Sequence, residues 1–372
     1  MISLAAAAAI SHSVNFSPPA TLGAVHWGVT ATYNFSNFTA IGTLHGTLLS
    51  ADGLTYTHTT DKSIPGGMVK SGASYHTLGT LTADASFTSW HAPNCVQWTL
   101  KAGQFEVSTL DKMVSFVGLP SSSKASRFTG SNGLRFGGAA SVVRNGVYLQ
   151  TAIVAFSDMK NDTDATSVVL YSSDDGFSYT YLSTIASAAD NPWSDEGPNE
   201  HAMELLADGS LLVVFRIDCG DGPNFHPFVP YWQTRSRDGG KSWDAPAPSP
   251  GAPGCAYPHL LRLESGPLLL SGGRSLYAGT NDNDLWVSWA GDGSAWERHA
   301  ISAAHNALAP AGTPEFDPTR VNATMPECAG AQTVAYTSLV ARGASSAVIG
   351  YDMTSLHCEN HTGFAMLVEF TQ

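Results

Sequence analysis

Charge is scarce in this chain. Only 13% of its 372 residues are Asp, Glu, Lys or Arg, and 31 acids against 18 Lys plus Arg leave a formal net charge of −13. A broad negative field repels nucleic acid and anionic membranes, so neither is an expected partner. An anionic ligand would have to be held by a few focused Arg residues. The sequence has no stretch of 18 apolar residues, so it offers no membrane-spanning helix. Cysteine is sparse too: Cys95, Cys219, Cys255, Cys328 and Cys358 allow at most two disulfides and leave one thiol. No His/Cys cluster has zinc spacing. His357 and His361 stand four residues apart, a spacing that gathers ligands on a helix and not on a strand. Neither a metal nor a cofactor is expected. The opening MISLAAAAAIS lacks a basic n-region, so residues 1–20 read as a signal remnant or a mobile N-terminus.

What is abundant is turn chemistry. The 36 Gly and 20 Pro suit many short strands better than helices, and 43% apolar content with a mean hydropathy of −0.04 fits a globular chain with an ample core. Ser236 to Trp243 (SRDGGKSW) sets Ser, Asp, Gly and Trp in the order S-x-D-x-G-x-x-W. An Asp carboxylate closes such a turn onto backbone groups just ahead, Gly takes the strained backbone position, and the aromatic folds back as a plug. Ser172 to Tyr179 (SSDDGFSY) repeats the spacing, Ser50 to Tyr56 (SADGLTY) is one residue short, and Trp289 to Trp296 (WAGDGSAW) keeps the Gly and the aromatic.

Apolar runs broken by tight turns recur around Gly146, Gly209, Gly266 and Gly343, and each reads as a hairpin. From Gly146 to Ser172 is 26 residues, from Gly209 to Ser236 is 27, and from Gly266 to Ser288 is 22. Hairpin, connection, strand, Asp turn, strand makes one four-stranded antiparallel unit, and successive hairpins lie 63 and 57 residues apart. A period of about 60 residues suits propeller blades with long loops. The expected fold is therefore all-β, a six-bladed β-propeller in one domain over 21–372. Residues before about 125 lack the clean pattern and read as the first blades. Pro246 to Pro258 has a linker's composition, but repeats continue on both sides of it, which makes it an inter-strand loop. Asn15, Asn34, Asn37, Asn161, Asn322 and Asn360 each open an N-x-S/T triplet, and this number of triplets points to a secreted or lumenal protein.

In a propeller the innermost strand ends build the site, and Asp turns lie between outer strands, so Asp238 and Asp174 are expected to be structural. Asn199 to Arg216 (NEHAMELLADGSLLVVFR) resembles the central segment of the exo-α-sialidases (neuraminidases), a superfamily of Asp-box (BNR-repeat) propellers. There a Glu is followed by a D-G hairpin and then an Arg, here Glu200 and Arg216, 16 residues apart. Tyr336 to Asp352 (YTSLVARGASSAVIGYD) resembles the last blade of that superfamily, with Tyr351 standing 15 residues after Tyr336. LLLSGGR ending at Arg274 is similar to the segment carrying another ligand-binding Arg.

The resemblance implies a glycosidase removing terminal sialic acid or a related nonulosonic acid. Tyr336 would be the nucleophile, Glu200 its base, and Arg216 and Arg274 part of a carboxylate clamp. A neutral Tyr suits this chemistry, because a carboxylate nucleophile would approach a substrate carboxylate against like charge. Arg forks bind a carboxylate by charge-assisted, often bidentate bonds. The implied partners are sialylated or related acidic glycans, acted on by a monomer.

This chain departs from the pattern in having no R-I-P motif for the first clamp Arg. Arg135, in RFGGAASVVRNG, is the nearest equivalent, with Arg127 and Arg144 as competitors and Arg144 read as solvated at its turn. The general acid is sought among Asp158, Asp162 and Asp164, and Asp162 is preferred. Glu204 rivals Glu200 but alternates with apolar neighbours and is expected to face solvent. The gap from Trp296 to Tyr336 is longer than the superfamily usually shows. A non-catalytic carbohydrate-binding propeller and a propeller glycosidase for neutral or uronic glycans are the competing readings.

Overall fold

The computed structural model describes residues 12–25, 32–35, 38–43, 45–60, 69–71, 74–78, 82–84, 88–93, 95–102, 104–120, 134–135, 141–154, 166–191, 194, 196–217, 229–252, 254–274, 282–317, 336–354 and 361–371. The described strands form six sheets. The first runs from Thr32–Phe35 through Phe38–Thr43 and Gly46–Ser50 to Thr57–Thr60. The second comprises Val69–Ser71, Ser74–Leu78, Cys95–Lys101 and Gln104–Leu110. In the third, Leu134–Arg135 and Ser141–Arg144 both pair with Val147–Val154, followed by Ser167–Ser173 and Ser178–Ala186. Its outer edge gains Val114–Val117 by parallel pairing, then Trp90–Ala92 and Thr82–Ala83.

The fourth sheet is His201–Leu205, Leu211–Phe215, Trp232–Ser236 and Ala247–Pro248, and the fifth is Ala256–Arg262, Leu268–Arg274, Asp282–Ser288 and Glu297–Ala300. Ser338–Gly343, Ser346–Thr354 and His361–Thr371 make the sixth, which is completed by the N-terminal strands Ser13–Phe16 and Ala20–Val25. The stretch read as a leader remnant or mobile segment thus holds a strand paired with the chain's last one.

The sheets pack face to face because their middle strands are apolar on both faces. In Leu211–Phe215 (LLVVF) every residue is buried. Leu211, Val213 and Phe215 pack against Leu149, Val168 and Leu170 of the third sheet, whereas Leu212 and Val214 pack against Leu260, Leu268 and Trp286 of the fifth. Each such side chain contributes about 1.5–3 kcal/mol by leaving water. The fifth sheet packs on the sixth through Leu269, Leu285, Ile349 and Tyr351, and the sixth on the first through Val340, Val348 and Ile41. The first meets the second through Phe35 and Trp98, and Cys95 and Leu110 of the second join Trp90, Phe116 and Tyr171 of the third. Every sheet therefore packs on the next and the last returns to the first. The fold is the expected all-β propeller.

The Asp turns sit where that fold requires, between the third and fourth strands of their sheets. In the fourth sheet, Asp238 Oδ1 accepts from Lys241 N and Ser242 N at 3.0 Å each, and Ser236 Oγ accepts from Gly240 N at 2.8 Å. In the third sheet the turn acid is Asp175 and not Asp174: its Oδ1 takes Phe177 N and Ser178 N at 2.7 Å each, and Ser173 plays the serine role. Asp52 repeats the pattern with Ser50, and Asp292 accepts from Ser294 N while Ser288 caps Gly293 N. The serine of that last copy lies one residue before the stretch read from sequence.

Gly240 and Gly293 wedge into the preceding sheet, whereas Gly176 faces Tyr148 of its own sheet. A Cβ on Gly240, whose φ is +90°, would stand 2.2 Å from Leu170 Cδ2. The plug is present as expected: Trp243 packs among the buried residues of the third and fourth sheets and donates from Nε1 to Ser183 Oγ at 3.0 Å.

Other details refine the reading. Asn145 and Gly146 both have positive φ, the signature of a two-residue hairpin turn, but the last hairpin turns at Ala344-Ser345 and not at Gly343. Arg144 is not simply solvated, since its Nε donates to Gly209 O of the next sheet at 3.1 Å. Pro246 to Pro258 is more than a loop, since it holds the outer strand Ala247–Pro248 of the fourth sheet and the start of the strand Ala256–Arg262 of the fifth. The long gap after Trp296 holds a helix, Ile301–Leu308, whose His305 packs edge-on to Phe364 and bonds Tyr351 Oη at 2.9 Å. Of the sequon residues, Asn34 donates its amide to Ala341 O across two sheets at 3.0 Å, which opposes its use as a glycan acceptor.

Candidate active site

The innermost strands Ser141–Arg144, His201–Leu205, Ala256–Arg262, Ser338–Gly343 and Thr32–Phe35 lie side by side in that order. Hairpin turns close them at one face. At the other face stand their first residues and the last residues of the strands they pair with. Glu200, Arg216 and Tyr336 fall there, from three different strand ends.

Tyr336 Oη donates to Glu200 Oε1 at 2.5 Å, across 136 residues of sequence. Glu200 Oε2 accepts from Tyr257 N at 2.9 Å and from Arg216 Nη1 at 3.4 Å. Arg216, only 9% exposed, also gives Nη2 to both oxygens of Glu196, at 3.2 and 2.9 Å. The backbone prepares this arrangement. Asn199 N donates to Arg216 O at 3.0 Å and Arg216 N to Glu200 O at 2.8 Å, carrying the strand ladder one step past its formal end. The Asn199 side chain accepts from Glu200 N at 2.5 Å and donates to Glu196 Oε2 at 3.0 Å, so a single amide orients both carboxylate-bearing residues.

Tyr257 owes its position to a β-bulge. Between Ala256 and His259 the pairing with Gly273 and Ser271 gains an extra residue, and Pro258, which has no N–H to give the ladder, sits in it. Tyr257 is pushed to φ +39°, a region a bulky residue adopts only when its surroundings hold it there. That conformation aims its N–H at Glu200, and its ring lies 4.8 Å from that of Tyr336. Beneath the bulge, Tyr231 is fully buried and donates to Ala256 O at 2.5 Å. Glycine makes room for it, since a Cβ on Gly254 or Gly272 would stand 2.1 or 2.0 Å from its ring or hydroxyl. Cys255 beside the bulge is disulfide-bonded, while Cys95 is a buried free thiol.

Burial, with the Glu200 carboxylate beside it, raises the Tyr336 phenol far above its usual range. It rests as neutral O–H and can lose its proton only as Glu200 takes it. His201, behind the site, bonds Asn199 O through Nδ1 at 2.7 Å and Thr151 Oγ1 through Nε2 at 2.5 Å. A carbonyl only accepts, so Nδ1 carries the proton and Nε2 receives the Thr151 hydroxyl. Burial lowers this His to about 4, which keeps it neutral.

Arg135 pairs with Ile153 and Arg274 with Asp282, which places both backbones at the same end of their sheets as Arg216. Asp158, Asp162, Asp164 and Arg127 lie outside the described residues. Glu204 is a correction. It does not face solvent but caps the neighbouring inner strand, accepting from Leu205 N at 2.9 Å and Arg262 N at 3.1 Å, and burial pushes it up to about 7. His361 bonds Asp352 Oδ2 through Nδ1 at 3.2 Å, and His357 lies outside the described residues.

Sequence reading missed Glu196, Asn199 as an orienting amide, and Tyr257. Asn199 and Glu196 stand one and four residues before Glu200, and the Tyr-Pro pair in an inner strand was a legible bulge signal.

No protein-family model matches the chain, and no curated protein matches it. Among solved structures, the chain is similar to the GH93 alpha-L-arabinofuranosidase of Fusarium graminearum in complex with arabinobiose, with a TM-score of 0.59 and 11% identity over 94% of this chain and 97% of that one. It is similar to a protein of unknown function from Dyadobacter fermentans DSM 18053, with a TM-score of 0.55 and 15% identity over 96% and 99%. A Penicillium chrysogenum alpha-L-arabinanase complexed with arabinobiose gives 0.52 and 11% over 93% and 98%. At such identities the likeness carries the fold alone.

Proposed function

We propose that this chain is a glycosidase that removes a terminal sialic acid or related nonulosonic acid through a covalent intermediate on Tyr336. The observation carrying the reading is the 2.5 Å bond from Tyr336 Oη to Glu200 Oε1, with Arg216 and Tyr257 N fixing the other oxygen. As Tyr336 Oη attacks the anomeric carbon, Glu200 takes the phenolic proton. The bond to the leaving oxygen breaks, and that oxygen is protonated by a general acid, for which Asp162 remains the proposal. Water then attacks the same carbon and gives its proton to the acid residue, while the departing Tyr336 oxygen regains its own from Glu200. Two displacements retain the anomeric configuration. Arg216, with Arg274 and Arg135 from neighbouring sheets, would hold the substrate carboxylate.

The six sheets are read as six blades and the Asp turns as Asp boxes of the sialidase kind. The sequons favour a secretory route, and a monomer is proposed to act on acidic glycans. The test is release of a fluorogenic phenol from an α-sialoside, with Tyr336→Phe inactive.

A second reading, a propeller glycosidase for neutral or uronic glycans, has one observation in its favour. Glu196 already engages Arg216 Nη2 with both oxygens, so a substrate carboxylate would have to share that guanidinium or displace Glu196. Arabinobiose in the similar folds fits this alternative. Release from an α-L-arabinofuranoside with none from the α-sialoside would decide for it.

A further inference from the structure

Outward from the central cluster, a groove of 480 Å³ opens on the seam between the third and fourth sheets. It starts at Trp232, whose backbone pairs with Phe215, the residue before Arg216, and so lies one strand farther from the axis. Its apolar lining includes the half-buried indoles of Trp232 and Trp243 and the side chain of Ile185. Around them are the exposed Asp190 carboxylate, Asn191, and the exposed Lys241 and Asp244. The groove is rigidly built. Trp243 is pinned by its bond to Ser183 Oγ, Asn191 donates to Ser187 O at 3.1 Å, and Arg237 holds Asp244 at 2.7 and 2.9 Å.

Aromatic surface bordered by short acids, an amide and an ammonium matches one ligand chemistry well. A sugar ring has an apolar C–H face for an indole and peripheral hydroxyls that both donate and accept. The volume falls within the range of small-ligand pockets. With Asp244 already paired to Arg237, the remaining Asp190 and Lys241 carry opposite charges, so no net field selects an anion over a neutral ligand.

We infer that this groove is a second saccharide-binding site, taking one or two neutral sugar residues beside the central site and distinct from it. The inference is separable from the catalytic reading because it is tested by binding alone.

The test is titration of the intact protein with lactose, following the indole N–H resonances of Trp232 and Trp243, assigned through Trp232→Phe and Trp243→Phe. Saturable shifts with a Kd on the order of 1–10 mM are expected for so small a contact. Asp190→Ala combined with Lys241→Ala, both surface changes, should weaken binding roughly tenfold, the loss of one to two hydrogen bonds. Tyr336→Phe and Glu200→Gln should bind as the parent does, whether or not the parent hydrolyses any sialoside. Absence of shifts at about 50 mM lactose overturns the inference. So does undiminished binding by the double variant, or loss of binding in Tyr336→Phe, which would place the sugar at the centre.

Discussion

Asp238 and Glu200 are both carboxylates held by several donors, yet they do opposite things. Asp238 collects Ser236 Oγ, Lys241 N, Ser242 N and Ser242 Oγ, all within four residues of itself. Glu200 collects Arg216, Tyr257 and Tyr336, which stand 16, 57 and 136 residues away. Local donors at the solvent edge lower the Asp238 carboxyl below its usual range and lock a turn. Long-range donors at the buried end place one Glu200 oxygen on a phenol that burial keeps protonated. The first carboxylate builds the fold, and the second is available to move a proton.

The comparison breaks most visibly in activity. Glu200→Gln keeps the shape but cannot accept the phenolic proton, and kcat should fall about 10²–10⁴-fold with little change in melting temperature. Asp238→Asn should leave kcat per folded molecule unchanged. A large kcat loss there, measured on the fluorogenic sialoside, would erase the distinction.

The outer turns are sharpened by Gly240→Ala. Its Cβ meets Leu170 at 2.2 Å with φ at +90°, so about 1–3 kcal/mol of stability should be lost in urea unfolding, with kcat retained. Tyr257→Gly keeps the N–H to Glu200 and relieves the positive φ while removing the ring. About a tenfold fall in kcat at near-parental stability is expected, and an unchanged kcat would reduce Tyr257 to a backbone donor.

The smallest effect is in pH. Burial lowers His201 and His259 to about 4, so the unfolded chain binds their protons first and stability falls as pH drops from 6.5 toward 4. Glu204 acts oppositely. Raised to about 7, it contributes fully below 4.5 and loses that contribution as pH rises through 7. Urea unfolding at stepped pH should show stability climbing between 4.5 and 6.5, and Glu204→Gln should make the climb steeper.

The same contrast explains what could be read from the sequence. The Asp turns were legible because donor, acceptor and glycine are neighbours in the chain. Even there the register slipped by one, to Asp175, because SSDDG offers two serines and two acids to the same turn. Glu200, Arg216 and Tyr336 were all singled out through resemblance, and the ion pair of the first two, which one hairpin joins, came only with the structure. The bulge at Tyr257 was signalled by Pro258, but the role of Tyr257 was not legible, since its N–H reaches Glu200 in a neighbouring sheet 57 residues away. Glu204 was misread because alternation marks a solvent face only where a sheet has one, and here the next inner strand covers it.

The most direct test of Tyr336 as nucleophile is to trap the intermediate. A sialosyl fluoride bearing a second fluorine beside the anomeric carbon slows both displacements but carries a good leaving group, so the glycosyl-enzyme should accumulate. Peptide mass spectrometry should then find the added sugar on Tyr336, with none in Glu200→Gln over the same time. A label on Glu196 or Glu200 would contradict the account, as would turnover of an α-sialoside that survives in Tyr336→Phe.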